Sequence, residues 1–302
     1  MRARFYSSGK LLISGEYAVL DGVWGLAIPT KYGQQLIVEP TDRPGIHWKS
    51  KDQDGSTWFS DHFSQRGFSA GGSSPVSKNL SRLLRMCCKL NPECFSDSPG
   101  YQVLTKMDFP SEWGLGSSST LIHNLAQWTR TDPYALLAGS FGGSGYDIAA
   151  AASEGPLLFS NQTHPASVKD VSLYWPFTDQ LYFVYLNRKQ SSIEGIARYR
   201  VMHNPQEILD RIGEISQELP QVKTLDSFKA LIEEHEDLIG GLVNLPTAKQ
   251  ALFKDYPGSV KSLGAWGGDF VLAIGDEDTP AYFQAKGYNT VIPFNDMIKK
   301  AP

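Results

Sequence analysis

The chain has 302 residues, 41% of them hydrophobic and 20% charged, with a formal net charge of -4 at pH 7. This is the balance of a folded chain of one large or two ordinary domains, and it excludes a disordered one. A mildly acidic chain with no basic run argues against a nucleic-acid partner, and no stretch is apolar for long enough to span a bilayer.

The N-terminus, Met1 to Lys10, lacks the apolar core and small-residue cleavage site of a signal peptide, so the expected location is the cytoplasm. The first forty residues read as strands and turns. Leu11-Leu12-Ile13 is a short apolar run, Asp21-Gly22 is a turn signal between Tyr17–Leu20 and Leu26–Ile28, and Leu36–Val38 is a further strand. Residues 40–75, rich in Gly, Ser, Asp and Pro with scattered aromatics, read as a strand-and-loop excursion of undetermined order. Leu80, Leu83, Leu84 and Cys87 fall at helical spacing and predict a helix over 76–90. Cys87, Cys88 and Cys94 are an odd, clustered set with no histidine at metal-ligand spacing. They predict free thiols in a reducing compartment, not a zinc site.

Tyr101 to Met107 reads as a strand, followed by a glycine-serine loop and then Leu121, Ile122, Leu125, Ala126 and Trp128 at helical spacing. Asp132-Pro133 is a helix start, an N-cap followed by proline at the first position. Gly139, Gly142, Gly143 and Gly145 cut that helix short, and Asp147 to Ala152 is alanine-rich and helical. Leu181 to Leu186 is an apolar and aromatic strand that opens a second domain, with a border at 165–180. Helices follow over 205–218 and 226–242, then a glycine loop from Lys261 into a strand at Phe270–Ile274. Thr290 to Pro293 reads as an edge strand, because proline cannot donate to a ladder. The class is α+β.

The most informative stretch is Trp113-Gly114-Leu115-Gly116-Ser117-Ser118-Ser119-Thr120. Glycines let the backbone approach a ligand closely, and the helix that begins near Ser117 directs N–H groups and its positive dipole end forward. Together these suit a phosphate. The spacing is neither a Walker loop nor a dinucleotide fingerprint. Taken alone, the same residues also fit a plain capped helix start.

Two further motifs add context. Ser8-Gly9-Lys10-Leu11 continues into Gly15-Glu16-Tyr17-Ala18-Val19, and Lys261-Ser262-Leu263-Gly264-Ala265-Trp266-Gly267-Gly268-Asp269 forms a third glycine-rich loop. With these three motifs in this order, the chain resembles the GHMP kinases, in particular their phosphomevalonate kinase and mevalonate kinase branch. Gly143-Ser144-Gly145-Tyr146-Asp147-Ile148-Ala149 is similar to the segment that carries that family's aspartate.

The resemblance implies a two-domain GHMP kinase fold. Residues 1–172 would be a ribosomal protein S5-like nucleotide-binding domain and 173–302 a ferredoxin-like domain. It implies ATP and Mg2+ as cofactors and mevalonate or phosphomevalonate as the acceptor. A homoserine or sugar kinase and a catalytically silent nucleotide-binding regulator are the alternatives. Gly114, Leu115, Gly116, Ser117, Ser118 and Ser119 would wrap the ATP phosphates, with Ser118 also a magnesium ligand. Gly264, Ala265, Gly267 and Gly268 would support them. Lys10 would sit near the transferred phosphoryl group and Asp147 would face the acceptor. Glu16, Ser144, Gly145, Ser191 and Ser192 would help to bind that acceptor. Three features depart from the family pattern. Trp266 stands for a glycine, Leu263 stands for a threonine or serine, and the stretch from Ser119 to Asp147 is short, so that a second magnesium ligand is not assignable.

Overall fold

The computed structural model describes residues 2–189, 192–202, 205–264 and 266–299. They divide into two compact units, one of Met1–Gly9, Tyr32–Ser111 and Gly116–Ala152, the other of Lys10–Lys31, Glu112–Leu115 and Ser153–Pro302. Two long strands, β1 (Ala3–Ser14) and β2 (Gly25–Thr41), contribute residues to both.

In the first unit the excursion over 40–75 contains two strands, β3 (Gly45–Lys51) and β4 (Thr57–Phe63). They pair antiparallel with each other, and β3 runs parallel to β5 (Gly100–Met107). The second half of β2 pairs antiparallel with β5, from Gln34 opposite Met107 to Thr41 opposite Gly100. Between β4 and β5 lies α1 (Pro75–Leu90). Ser74 caps it by accepting the Ser77 N–H, and Pro75 fills the first helical position, where a missing N–H costs nothing. Its Leu80, Leu83, Leu84 and Cys87 face a core that includes Trp48 and Phe63. Each large side chain so buried contributes roughly 1.5–3 kcal/mol. Helices α2 (Ser117–Thr129), α3 (Pro133–Ala138) and α4 (Tyr146–Ala152) follow β5. Asp132 caps α3, accepting the Tyr134 N–H at 3.0 Å.

In the second unit the segment after β1 departs from the strand reading. Ala18–Asp21 forms a 3-10 turn that ends at Gly22, whose φ of 86° is left-handed. The strand then restarts at Gly25, so Leu26–Ile28 and Leu36–Val38 belong to one continuous strand. The first residues of β2 pair antiparallel with β6 (Leu157–Ser160), and β6 pairs antiparallel with β7 (Ser167–Asp170). The chain continues through β8 (Leu181–Tyr185), α5 (Ser192–Val201), α6 (Gln206–Glu218), α7 (Leu225–Val243), α8 (Ala248–Leu252), β9 (Ser259–Ser262), β10 (Phe270–Ile274), α9 (Thr279–Ala285), β11 (Val291–Pro293) and α10 (Phe294–Met297).

Strands β11-β8-β10-β9 form an antiparallel sheet in that order. The proline-bearing β11 lies at its edge, as the missing N–H requires. Trp175, Phe177, Phe228 and Phe294 pack mostly at tilted angles in an aromatic cluster that reaches Phe183 of β8. Among the described residues, no helix is long and apolar enough to cross a membrane.

Candidate functional site

The glycine-serine loop takes the backbone form its composition predicts. Gly114 and Gly116 have φ of 66° and 88°, left-handed values that a side chain would strain. Gly116 is the N-cap of α2, and the first helical bond runs from the Thr120 N–H to the Gly116 carbonyl at 3.0 Å. The N–H groups of Ser117, Ser118 and Ser119 therefore precede any helical carbonyl they can reach. Ser118 is exposed, whereas the Ser119 hydroxyl turns back to donate to the Gly116 carbonyl at 2.8 Å. The flank of α2 is pinned within the first unit. Asn124 Nδ2 donates to the Gln34 carbonyl at 2.8 Å, and Ser7 donates to Asn124 Oδ1 at 2.9 Å. His123, whose ring is held below its usual pKa by burial, lies 2.8 Å from Ser7 and packs on this flank.

Lys10 is tied to the loop twice. Its Nζ donates to the Gly114 carbonyl at 3.1 Å and its backbone N–H to the Leu115 carbonyl at 3.0 Å. A half-buried ammonium thus sits against the loop backbone. An acidic neighbour absent from the expected site residues is also here. A Cβ added to Gly114 would collide with the carboxylate of Asp269. Asp269 is itself held at φ 53°, with its N–H donating to the Arg188 carbonyl at 2.7 Å and its carbonyl accepting from the Leu186 N–H at 2.8 Å. The signal for it was present, since Asp269 closes the third glycine motif. The Trp113 ring packs edge-on against Phe270, with centroids 5.4 Å apart.

The third motif is a bent loop, with Gly264 and Gly267 at φ 67° and 94°. Ala265 lies outside the described residues. Gly268 is buried, and Arg188 donates to the Gly267 carbonyl. Trp266, the residue that breaks the family pattern, is buried beside Tyr17, Tyr199, Leu209, Ile239 and Leu242. Its backbone N–H donates to the Tyr17 hydroxyl at 3.1 Å. Its indole therefore fills the core behind the loop, on the side occupied by the 3-10 turn and α7.

Glu16 lies in a wholly buried ionic cluster. Lys261 Nζ donates to Glu16 Oε1 at 2.5 Å and stands 4.0 Å from Glu236 Oε2. His235 Nε2 accepts the Gly15 N–H at 2.9 Å, which puts its proton on Nδ1, and lies 3.5 Å from Glu16 Oε2. Glu236 also accepts from the Ser262 N–H, the Ser262 hydroxyl and the Ala248 N–H, at 3.0, 2.9 and 3.2 Å. Burial pushes Glu16 up to about 7, opposed by Lys261, and raises Glu236 as well. Burial, reinforced by Lys261, keeps His235 well below its usual value and hence neutral. Lys261, the first residue of the third motif, is thus a partner of Glu16 that the sequence reading did not single out.

Asp147 occupies the first turn of α4, half-buried, with Oδ1 accepting the Ile148 N–H at 3.1 Å. Gly145, at φ 94°, opens this helix by accepting from Ile148 and Ala149, both at 3.1 Å, and Ser144 precedes it, half-buried. Ser191 lies outside the described residues, and Ser192 begins α5. Among the described residues, no group of three or more His, Cys, Asp or Glu is placed to hold a metal ion.

No family model matches the chain, and no curated relative does. Solved structures match it over nearly its whole length. Mevalonate kinase of Methanococcus jannaschii is 15% identical, with 97% of each chain covered and a TM-score of 0.67. Phosphomevalonate kinase of Streptococcus pneumoniae, in complex with phosphomevalonate and AMPPNP, is 16% identical, with 95% of this chain and 96% of that one covered and a TM-score of 0.69. Galactokinase of Lactococcus lactis, complexed with galactose, is 13% identical, with 99% and 94% covered and a TM-score of 0.68.

Proposed function

We propose, from the GHMP kinase fold of this chain, that it is an ATP-dependent small-molecule phosphotransferase acting on mevalonate or phosphomevalonate in the mevalonate pathway of isoprenoid synthesis, in the cytoplasm. Residues 1–172 are the S5-like nucleotide-binding domain and 173–302 the ferredoxin-like domain. The observation that carries this reading is the double attachment of Lys10 to Gly114 and Leu115, in a loop whose two left-handed glycines lead into the exposed start of α2. A cation and a set of helix-end N–H groups on one short loop are what a nucleotide's phosphate tail requires.

Phosphoryl transfer depends on positioning and charge neutralisation more than on covalent chemistry. Residues 114–119 grip the phosphates through backbone N–H groups, supported by Gly264, Ala265, Gly267 and Gly268. Lys10 neutralises charge that develops between the β- and γ-phosphates. Mg2+ keeps much of its water and is held by few protein oxygens plus the phosphates themselves. The exposed Ser118 hydroxyl, and the lack of a preformed acidic cage among the described residues, fit an ion that arrives with the nucleotide. When bound, that ion supplies Lewis-acid charge stabilisation. Asp147 orients an acceptor hydroxyl and takes its proton; a phosphate acceptor, already ionised, needs no base. Glu16, Ser144, Gly145, Ser191 and Ser192 help to bind the acceptor, Glu16 from within its buried pair with Lys261.

ADP release measured side by side with mevalonate, phosphomevalonate, homoserine and galactose tests the reading. Turnover is expected with mevalonate or phosphomevalonate. Turnover with homoserine or galactose alone would move the acceptor to another branch. ATP binding with no transfer to any of the four would identify a nucleotide-binding regulator instead.

A further inference from the structure

Two of the three cysteines lie in contact at a place remote in sequence from every glycine motif. Cys88 is in the last turn of α1 and Cys94 in the turn that follows, and their Sγ atoms are 3.7 Å apart. Both side chains are partly exposed, whereas Cys87 is buried in the core.

The backbone around the pair is fixed from several directions. The Asn91 N–H closes the helix on the Cys87 carbonyl at 2.8 Å, the Cys94 N–H donates to the Asn91 carbonyl at 3.1 Å, and the Ser96 N–H donates to the Glu93 carbonyl at 3.2 Å. The Asn91 amide donates to the Thr129 carbonyl at 2.8 Å, which ties the turn to the far end of α2. Phe95, next to Cys94, is packed among Phe68, Tyr101 and Trp128. The two sulfurs are therefore presented to each other by an ordered turn and do not have to find each other by loop motion. Bond formation asks each sulfur to move by only about 0.8 Å, from contact to a disulfide length of about 2.05 Å.

We propose that Cys88 and Cys94 are a site of reversible oxidative modification, which closes into an intrachain disulfide by exchange with a low-molecular-weight disulfide such as oxidised glutathione. The Cys88 thiolate attacks one sulfur of the small disulfide, forming a mixed disulfide and releasing one small thiolate. The Cys94 thiolate then attacks the Cys88 sulfur and displaces the second. Two protein thiols are oxidised, one small disulfide is reduced to two thiols, and the two protons lost by the cysteines go to the released thiolates. Either thiol of the touching pair can donate its S–H to the other. The order follows from burial, which disfavours the Cys94 thiolate more than that of Cys88. Burial raises both thiols, so the site is quiet near neutral pH in a reducing medium and reacts as the disulfide fraction or the pH rises.

The full chain is equilibrated with mixtures of reduced and oxidised glutathione, quenched with acid, alkylated with N-ethylmaleimide after unfolding, and analysed by intact mass and peptide mapping. The expected product is two hydrogens lighter, carries one alkyl group on Cys87, and shows peptide 86–89 linked to peptide 90–106. The initial rate is expected to rise about tenfold per unit of pH. Cys87→Ser should leave the bridge intact, which assigns it to Cys88. Cys94→Ser should stop at a Cys88–glutathione adduct, the trapped first step. Each of three results would overturn the proposal: glutathione on both cysteines with no bridge, a bridge that survives Cys88→Ser, or full alkylation of all three cysteines at the most oxidising ratio. None of these readouts involves phosphoryl transfer, so the site stands or falls independently of the kinase reading.

Discussion

Lys10 and Lys261 each sit beside a glycine-rich motif, yet their surroundings differ in kind. Lys10 is half-buried and donates to the Gly114 carbonyl. Lys261 is wholly buried and donates to Glu16, with Glu236 near by. A half-buried ammonium beside a glycine-rich turn is within reach of solvent and of an incoming anion. A fully buried one bonded to a carboxylate spends its field inside the protein. The same letters in a sequence thus mark a charge proposed to bind in one place and a structural charge in the other.

Replacing Lys261 should break the molecule, and replacing Lys10 should not. Lys261→Met leaves two carboxylates buried without their cation, and removal of one partner from such a cluster costs about 3–5 kcal/mol. Urea unfolding is expected to show that loss, and adding Glu16→Gln to Lys261→Met should recover part of it, because the uncompensated charge goes. If Lys261→Met unfolds at the wild-type midpoint, the cluster is not holding the turn after β1. Lys10→Met should leave the unfolding midpoint nearly unchanged while lowering kcat on the order of 100-fold or more, as loss of a preorganised charge does. Asp147→Ala offers a parallel on α4, a half-buried carboxylate proposed to handle a proton. Transfer to a hydroxyl acceptor should fall by roughly 100- to 10,000-fold with ATP binding retained. Unchanged turnover would remove its assigned role.

The buried cluster sharpens the comparison further through its two opposed titrations. Glu16 is raised to about 7 in the folded chain by burial, so the folded state holds a proton that the unfolded state loses near the ordinary carboxylate value. That contribution is fully present at low pH and is lost as pH rises through about 7. His235 is held well below its ordinary value, again by burial and then by Lys261, so the unfolded state binds a proton that the folded state refuses. Its contribution is present above the ordinary imidazole value and is lost progressively as pH falls from there toward the lower folded value. The groups that face one another here are Glu16, Glu236, Lys261 and His235, and where the two windows overlap the slopes oppose. Relative to wild type, Glu16→Gln is expected to gain stability as pH rises from about 5 to 7, and His235→Gln to gain stability as pH falls over the same range. Urea midpoints across that range decide it, and parallel curves for the two variants would refute the assigned protonation states.

Much of this is legible in the amino-acid sequence. The leucine spacing and the caps of α1 and α3 are local, and so is the glycine-serine loop leading into α2; helix ends and left-handed glycines are set by neighbours in the chain. Strands β3 and β4 were not legible, because β4 is mostly exposed and its identity rests on pairing with β3, which in turn pairs with β5 some fifty residues away. The turn at Ala18–Asp21 was misread because Tyr17–Leu20 is apolar enough for a strand. Its apolar residues are instead buried as a 3-10 turn, with Tyr17 against Tyr199 and Trp266. Trp266 looked anomalous because the residues it packs on are contributed by distant segments. Lys261 and Glu16, 245 residues apart, find each other only in the fold.

The smallest effect expected at the α2 tip belongs to Ser118. Its hydroxyl is exposed and α2 is capped by the backbone of Gly116, with no side-chain cap, so Ser118→Ala removes no structural hydrogen bond on which the helix depends. Stability should stay within about 0.5 kcal/mol of wild type, as for ordinary surface substitutions. What the change does remove is one oxygen from the end of the helix proposed to meet the nucleotide. If that oxygen binds the magnesium that comes with ATP, the Mg2+ concentration for half-maximal rate rises while the nucleotide still binds through the N–H groups that remain. A Mg2+ titration identical to wild type would show that the backbone alone grips the phosphate tail, and Ser118 would rank with Ser119, whose hydroxyl serves the helix itself.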